Sequence, residues 1–432
     1  MRPGARLRAA IEVLEDIAGN HRPASSALSD WGRSHRFAGS GDRTAIGTLV
    51  FDALRHKNSF AWKMGSDAPR ALALAAAGDA LGLSIEALQA AADGSQYSIE
   101  PLSEEEVAGL QRAILEDAPL AVAGDVPEWL TQSFERTFGA RAGEEGRGLS
   151  LRAPIDLRVN GLKATREKVL KAFEKFGAVA TPLSPVGVRI PAPHGPAKSP
   201  NVEADVAHGK GWFEVQDEGS QLAALIAGAS PREQVLDLCA GAGGKTLAMA
   251  AGMQNTGQVY AYDNSRSQLR PIFERLKRAG VRNVQVMEAG DEAQLKALEG
   301  RFDLVFADAP CTGSGTWRRR PDAKWRLKPE AIQLRLEEQR AVLASAAPMV
   351  KPGGRLVYVT CSVLPEENGE QVAAFLAGYR EFRLSPVSEH WTVRMEGEMP
   401  ESADGSRETL LLTPHSHGTD GFFIAVLQRQ SE

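Results

Sequence analysis

The chain has 432 residues, 43% hydrophobic and 24% charged, the balance of an ordinary globular protein with room for two to four domains. Its formal net charge of −5 does not announce a nucleic-acid partner, so such a partner would have to meet local basic patches. Three cysteines, Cys239, Cys311 and Cys361, form no CxxC pair, which excludes a disulfide framework and a cysteine-based zinc site; His415 and His417 lack companions to complete one.

Residues 1–20 carry Glu12, Glu15 and Asp16 and no unbroken apolar stretch, unlike a secretory signal. The most apolar tract, 71–83, is interrupted by Gly78 and Asp79, and no run approaches the ~20 apolar residues of a membrane span. The expectation is a cytoplasmic monomer with no membrane contact and no metal.

Residues 1–145 read as helical: Leu7, Ile11, Leu14 and Ile17 recur at helical spacing, as do Ile46, Leu49, Val50 and Leu54. Glu104, Glu105 and Glu106 suit the opening of a further helix, where the dipole favours acidic groups. Residues 143–148 read as a linker. Over 146–210 the pattern changes to a strand at 155–159, a helix at 165–176 and a strand at 186–190. This predicts a small α+β module of βαβ type, edged by a Pro/Gly-rich loop at 191–200.

From residue 211 to 432 strand and helix alternate. Strands are expected at 234–240, 258–263, 284–288, 302–308, 355–360 and 422–428, with a helix such as 267–279 between early pairs. That is the pattern of a doubly wound, Rossmann-like α/β domain, whose ligands bind beyond the carboxyl ends of the strands.

The first of these strands runs into a glycine loop, Cys239-Ala240-Gly241-Ala242-Gly243-Gly244-Lys245. A phosphate loop GxxxxGK[ST] would need glycine at Cys239, and a dinucleotide GxGxxG would need it at Thr246, so both readings fail. What remains, Asp237-x-x-x-Gly-x-Gly-Gly, suits a nucleoside ligand whose amino-acid part lies over backbone. Asp263, nineteen residues beyond Gly244, stands near the interval at which an acid meets ribose hydroxyls, and Asp291 is placed to accept from an adenine amino group. Together they favour S-adenosylmethionine over a plain turn with two solvated aspartates.

Asp308-Ala-Pro-Cys311 and Thr360-Cys361-Ser362 close two further strands on the same rim. Two thiols and a carboxylate there suit methyl transfer to a pyrimidine carbon 5. That atom is a poor nucleophile until a thiolate adds to carbon 6. Asp308 could then hold the N3 and N4 edge of the ring. Buried, inert packing is the alternative for any cysteine, and is preferred for the Cys239 side chain. Between Thr316 and Lys328 six basic residues and one acid enclose Trp317 and Trp325, a composition that can neutralise phosphates and stack unpaired bases. The competing reading is a solvated basic loop with its tryptophans packed inward.

On these residues the C-terminal half resembles the RNA cytosine-C5 methyltransferases, and most of all the branch acting on bacterial 16S ribosomal RNA. The resemblance rests on Gly211-Trp-Phe-Glu-Val-Gln-Asp-Glu-Gly-Ser-Gln221, the glycine loop, both cysteine motifs, Arg319-Arg-Pro-Asp-Ala-Lys-Trp325 and a closing Asp420-Gly-Phe-Phe423. The loop here is Ala-Gly-Ala-Gly-Gly where the family often has Ala-Pro-Gly-Gly. The resemblance implies that Cys361 is the nucleophile, that Cys311 assists product release or proton removal, and that Lys245 and Asp308 contact the target base. It further implies an all-α, NusB-like domain (1–145), weakly supported by Gly41-Asp-Arg43, ahead of an RNA-recognition-like module (146–210) and the methyltransferase domain (211–432). A tRNA cytosine as substrate, or a non-catalytic ribosome-assembly factor, are the alternatives.

Overall fold

The computed structural model describes residues 1–113, 118–195, 197–391, 395 and 397–431. Helices Pro3–Asn20, Ser40–Arg55 and Pro69–Leu81 pack against one another around Leu7, Leu14, Ile46, Leu49 and Leu74, the apolar faces that the sequence spacing anticipates. The acidic triplet opens helix Glu104–Gln111 through a capping box in which Ser103 and Glu106 satisfy each other's backbone amides.

The stretch expected to be a linker is instead the helix Ala142–Gly148. Glycines there serve close packing: a Cβ on Gly146 would lie 2.7 Å from the Gly124 carbonyl oxygen. Val126, Leu130, Phe134, Phe138, Ala142 and Leu149 join the core of the C-terminal sheet, not that of the first helices. The helical bundle's own core therefore ends well before residue 145.

The middle module is a four-stranded antiparallel sheet of order β2-β3-β1-β4, with β1 Ile155–Val159, β2 Val179–Ala180, β3 Gly187–Ile190 and β4 Phe213–Val215. Helix Arg166–Phe173 covers it with Val169 and Phe173. β4 lies beyond residue 210, so the module's sheet takes its last strand from the segment assigned to the next domain.

The C-terminal sheet contains β5 Gln234–Asp237, β6 Gln258–Ala261, β7 Val284–Val286, β8 Phe302–Asp308, β9 Val350–Thr360, β10 Phe382–Ser385, β11 Leu410–Leu412 and β12 Phe422–Arg429. Its order is β10-β12-β9-β8-β5-β6-β7, with β11 on β12. β9, β8, β5, β6 and β7 run parallel, while β10, β11 and β12 are antiparallel additions. The chain leaves β5 toward β6 on one side and reaches β8 on the other, so the strand ends part between β5 and β8. A crevice opens at such a switch point. The helix expected over 267–279 is broken by Pro271 into Arg266–Leu269 and Ile272–Ala279.

Candidate active site

A cleft of about 940 Å³ opens at this switch point. Its floor is the glycine loop, with Asp237 to Ala242, Gly244 and Lys245 exposed to it. Gly241 and Gly243 have φ of 49° and 81°, and a Cβ at Gly243 would sit 2.4 Å from Ile272. Only glycine lets the backbone pass there. Asp263 pins the loop: Oδ2 accepts from the Gly241 amide at 2.9 Å and Oδ1 from the Ser265 amide at 2.7 Å. The carboxylate expected at a ribose is thus also the loop's anchor. Asp291 caps helix Glu292–Lys296, accepting from the Gln294 amide at 2.9 Å. Glu292, one residue on, lines the cleft, whereas Asp291 does not.

Asp237 is fully buried. Its Oδ2 accepts from the Thr246 hydroxyl at 2.6 Å, and its Oδ1 has no partner. Burial pushes its pKa up to about 7. An unpaired carboxylate oxygen in a cleft wall fits a ligand that brings an ammonium or N–H donor. The glycine backbone fits one that must lie flat on the loop. S-adenosylmethionine meets both requirements. Cys239 keeps a thiol raised well above its usual range by burial and by Asp237, consistent with packing rather than reactivity.

At the mouth between β8 and β9 the other sequence-nominated groups converge. Lys245 Nζ donates to Asp308 Oδ2 at 2.6 Å. Burial opposes the lysine charge, but Asp308 outweighs it and, with a smaller contribution from Cys361, raises the Lys245 pKa. Cys311 and Cys361 face each other with Sγ···Sγ of 3.3 Å. The hydrogen bond with Cys361, followed by burial, raises the Cys311 pKa well above its usual value, which holds it as a thiol.

What fixes the two cysteine loops was not read from the sequence. Glu367, fully buried, accepts from the Thr312 amide at 2.8 Å, the Thr312 hydroxyl at 2.5 Å, Gln339 Nε2 at 3.0 Å and the Ser362 hydroxyl. It therefore ties the neighbour of Cys311 to the neighbour of Cys361. The Cys361 carbonyl accepts from the Gly315 amide at 2.9 Å, and the Gly315 carbonyl accepts from the Gly421 amide at 2.8 Å. A Cβ on Gly421 would fall 2.5 Å from the Gly315 Cα, which explains the glycine of the closing Asp-Gly-Phe-Phe run. The only sequence signal for Glu367 was an acidic pair just after a reactive-looking cysteine.

The middle module also reaches the site. Arg158 on β1, buried, donates to the Gly244 carbonyl at 2.5 Å and to Gln216. Glu214 on β4 holds Arg275, which donates to the Ala242 carbonyl at 2.9 Å. Val215 and Gln216 line the cleft itself.

The basic tryptophan segment takes a different place from the one expected. Trp317 is 1% exposed and stacks on Phe134, with ring centroids 6.0 Å apart. Arg318 and Arg319 pair with Asp217 and Asp420. Lys324 is buried and donates to the Arg55 carbonyl at 3.1 Å and to Ser150 Oγ at 3.0 Å, while Trp325 Nε1 donates to the Leu54 carbonyl at 2.5 Å. Trp317, Lys324 and Trp325 pack inward or bolt the helical bundle to the α/β domain and form no open face for RNA, whereas the ion-paired Arg318 and Arg319 still line a separate cleft.

Residues 224–428 match the 16S rRNA methyltransferase RsmB/F family, and residues 126–195 match the ferredoxin-like domain of RsmF/B-like methyltransferases. The chain is 34% identical over 308 residues to the probable ribosomal RNA small subunit methyltransferase B of Synechocystis sp., covering 70% of this chain and 66% of that one. Against the probable ribosomal RNA small subunit methyltransferase B of Bacillus subtilis the identity is 32%, covering 72% of this chain and 68% of the relative. The chain thus spans about two thirds of the length of these curated relatives. Among solved structures, PH0851 aligns with a TM-score of 0.74 at 26% identity, covering 99% of both chains. A methyltransferase homologue from Pyrococcus horikoshii aligns with a TM-score of 0.58 at 27% identity, covering 72% of this chain and 97% of that one.

Proposed function

The chain belongs to the RsmB/F family of 16S rRNA methyltransferases, and from that premise we propose that it methylates carbon 5 of a cytosine in 16S rRNA, with S-adenosylmethionine as methyl donor and Cys361 as nucleophile. The observation that carries the reading is the pair of sulfurs 3.3 Å apart beside the Lys245–Asp308 ion pair, at the edge of the glycine-loop cleft.

Residues 239–245, with Asp263 and Asp237, would hold S-adenosylmethionine, which when bound would supply an electrophilic methyl group. The rest is work for this chain's side chains. As the Cys361 sulfur bonds to carbon 6 of the cytosine, the carbon 5–carbon 6 double bond gives way, the thiol proton passes by way of Asp308 to N3, and the enamine so formed carries electron density on carbon 5. Asp308, held by Lys245, faces the N3 and N4 edge and steadies the charge that develops on the ring. After carbon 5 is methylated its proton must leave, and the carbon 6–sulfur bond then breaks to restore the aromatic ring and Cys361.

Cys311 suits this second half. Held as a thiol against the departing sulfur, it can give its own proton to Cys361 as the carbon 6–sulfur bond breaks and take the carbon-5 proton in its place, so both thiols are restored. The helical bundle, proposed to be NusB-like, and the middle module would present the RNA. The target base has to be unstacked to enter. Incubating the protein with unmodified 16S rRNA and labelled S-adenosylmethionine, then digesting to nucleosides, should give 5-methylcytidine. Label in any other nucleoside would overturn the reading.

A further inference from the structure

Three regions of the fold meet around a second cleft, of about 550 Å³, which shares no lining residue with the glycine-loop cleft. Helix Ser40–Arg55, the loop after β3 and the end of the loop that starts at Cys311 form its walls. Six cations line it, Arg43, Arg55, Arg152, Lys198, Arg318 and Arg319, and among the described residues no carboxylate does. In a chain with a net charge of −5 that concentration runs against the overall sign.

The cations are only partly neutralised. Asp52 pairs with both Arg55 and Arg152, and Asp217 and Asp420 serve Arg318 and Arg319 together. Three carboxylates therefore stand behind six cations. Burial lowers the Arg55 pKa against the opposing charge of Asp52, and the charge of Arg152 adds to the lowering. Lys198 is exposed on the rim and makes no ion pair among the described residues.

We propose that this cleft binds phosphates of the RNA backbone on the flank of the target cytosine. The proposal rests on the RNA substrate assigned above and adds where that RNA is held. Charge complementarity selects the ligand, because a wall with twice as many cations as partner carboxylates, five of them arginines, matches phosphate oxygens. Continuity with the reaction centre supports it. Eight residues lead from Cys311 to Arg319, a span of at most about 28 Å. Nucleotides neighbouring a base at the cysteines are therefore within reach.

The test uses Lys198→Glu combined with Thr48→Glu, which turns two wall positions negative without removing an ion pair. Binding of transcribed 16S rRNA is measured by filter retention at several salt concentrations, beside S-adenosylmethionine affinity and kcat at saturating RNA. The expected result is RNA affinity at least about tenfold weaker, with the salt slope shallower by about one for each phosphate that the variant no longer neutralises. S-adenosylmethionine affinity and kcat should be unchanged. Wild-type RNA affinity and slope in the variant would overturn the proposal, as would an equal loss of S-adenosylmethionine affinity. Should the wild type bind the rRNA yet methylate no cytosine in it, the catalytic assignment fails while the cleft is still judged by the binding data.

Discussion

Two loops leave the C-terminal ends of neighbouring strands and look equally rich in chemistry on paper. After β5 comes the glycine loop 239–245; after β8 comes the basic, tryptophan-bearing stretch 312–328. The first is anchored through its backbone by Asp263, Arg158 and Arg275, and leaves backbone and the wall residue Asp237, one of whose oxygens has no partner, at a cleft. The second spends nearly everything: its Trp317, Arg318, Lys324 and Trp325 are taken up by carbonyls, carboxylates and rings of other regions. A residue's chemistry becomes function only where the fold leaves it unpartnered or places it against a second reactive group. The two sulfurs, Cys311 at the root of the second loop and Cys361 just after β9, meet that condition, and most of the loop's cations do not.

The sharpest way to break this contrast is at the sulfurs. Cys361→Ala should lower methyl transfer by about four orders of magnitude or more, as expected for loss of a covalent nucleophile, with S-adenosylmethionine binding unchanged. Cys311→Ala should instead leave a covalent RNA adduct visible as a gel shift. If the adduct formed with Cys361→Ala and not with Cys311→Ala, the two roles would have to be exchanged.

Glu367 comes next. Its removal in Glu367→Ala frees four donors and uncouples the loops carrying the cysteines. Loss of such a buried acceptor costs about 2–4 kcal/mol in stability, and loosening the sulfurs should lower kcat by roughly a hundredfold. Glu367→Gln should recover most of both, because the Thr312 and Ser362 hydroxyls can turn to accept from its amide. A kcat for Glu367→Ala equal to that of Glu367→Gln would reduce the residue to mere packing.

Much of this was legible beforehand. The parallel strands announced themselves as short runs rich in valine and leucine, and the glycine spacing excluded two ligand classes by a single residue each, Cys239 and Thr246. Glu367, Arg158 and the fate of Lys324 were not legible, for one shared reason. Each is a charged side chain buried by segments far away in sequence, and no local pattern marks a carboxylate or cation that tertiary structure will enclose. The helix at 142–148 was hidden likewise, since its three glycines signal a linker until one sees that close packing demands them.

On the cofactor side, Asp237→Asn sharpens the comparison through pH. The folded pKa of about 7 lies above the ordinary value of 3.8. Folding is therefore favoured by this group at pH 4 and below, and the advantage is lost as pH rises through 7. The melting temperature of ligand-free wild type should fall relative to Asp237→Asn between pH 5 and 8, by a few °C at most. If the unpaired oxygen receives the ligand's ammonium, S-adenosylmethionine affinity should rise through pH 7 in wild type by up to about tenfold, and stay flat in the asparagine variant. Parallel pH profiles for the two proteins would show that this oxygen meets no ligand.

Lys324→Met gives the smallest effect and the most direct test of the bolt. Burial lowers the Lys324 pKa to about 8 from 10.5, so its contribution to stability is present above pH 10.5 and is lost as pH falls through 8. At pH 7 the wild type carries a buried cation, partly repaid by two hydrogen bonds and by the rings of Trp317 and Trp325, 5.9 and 4.9 Å away. Methionine removes both cost and repayment, so stability at pH 7 should change by no more than about 1 kcal/mol. At pH 9 the wild type should gain on the variant, which differential scanning calorimetry at the two pH values would show. RNA affinity should stay within twofold. A tenfold loss of RNA binding with an unchanged melting curve would mean that the cation reaches phosphate after all, and that Lys324 belongs to the RNA surface and not to a bolt between domains.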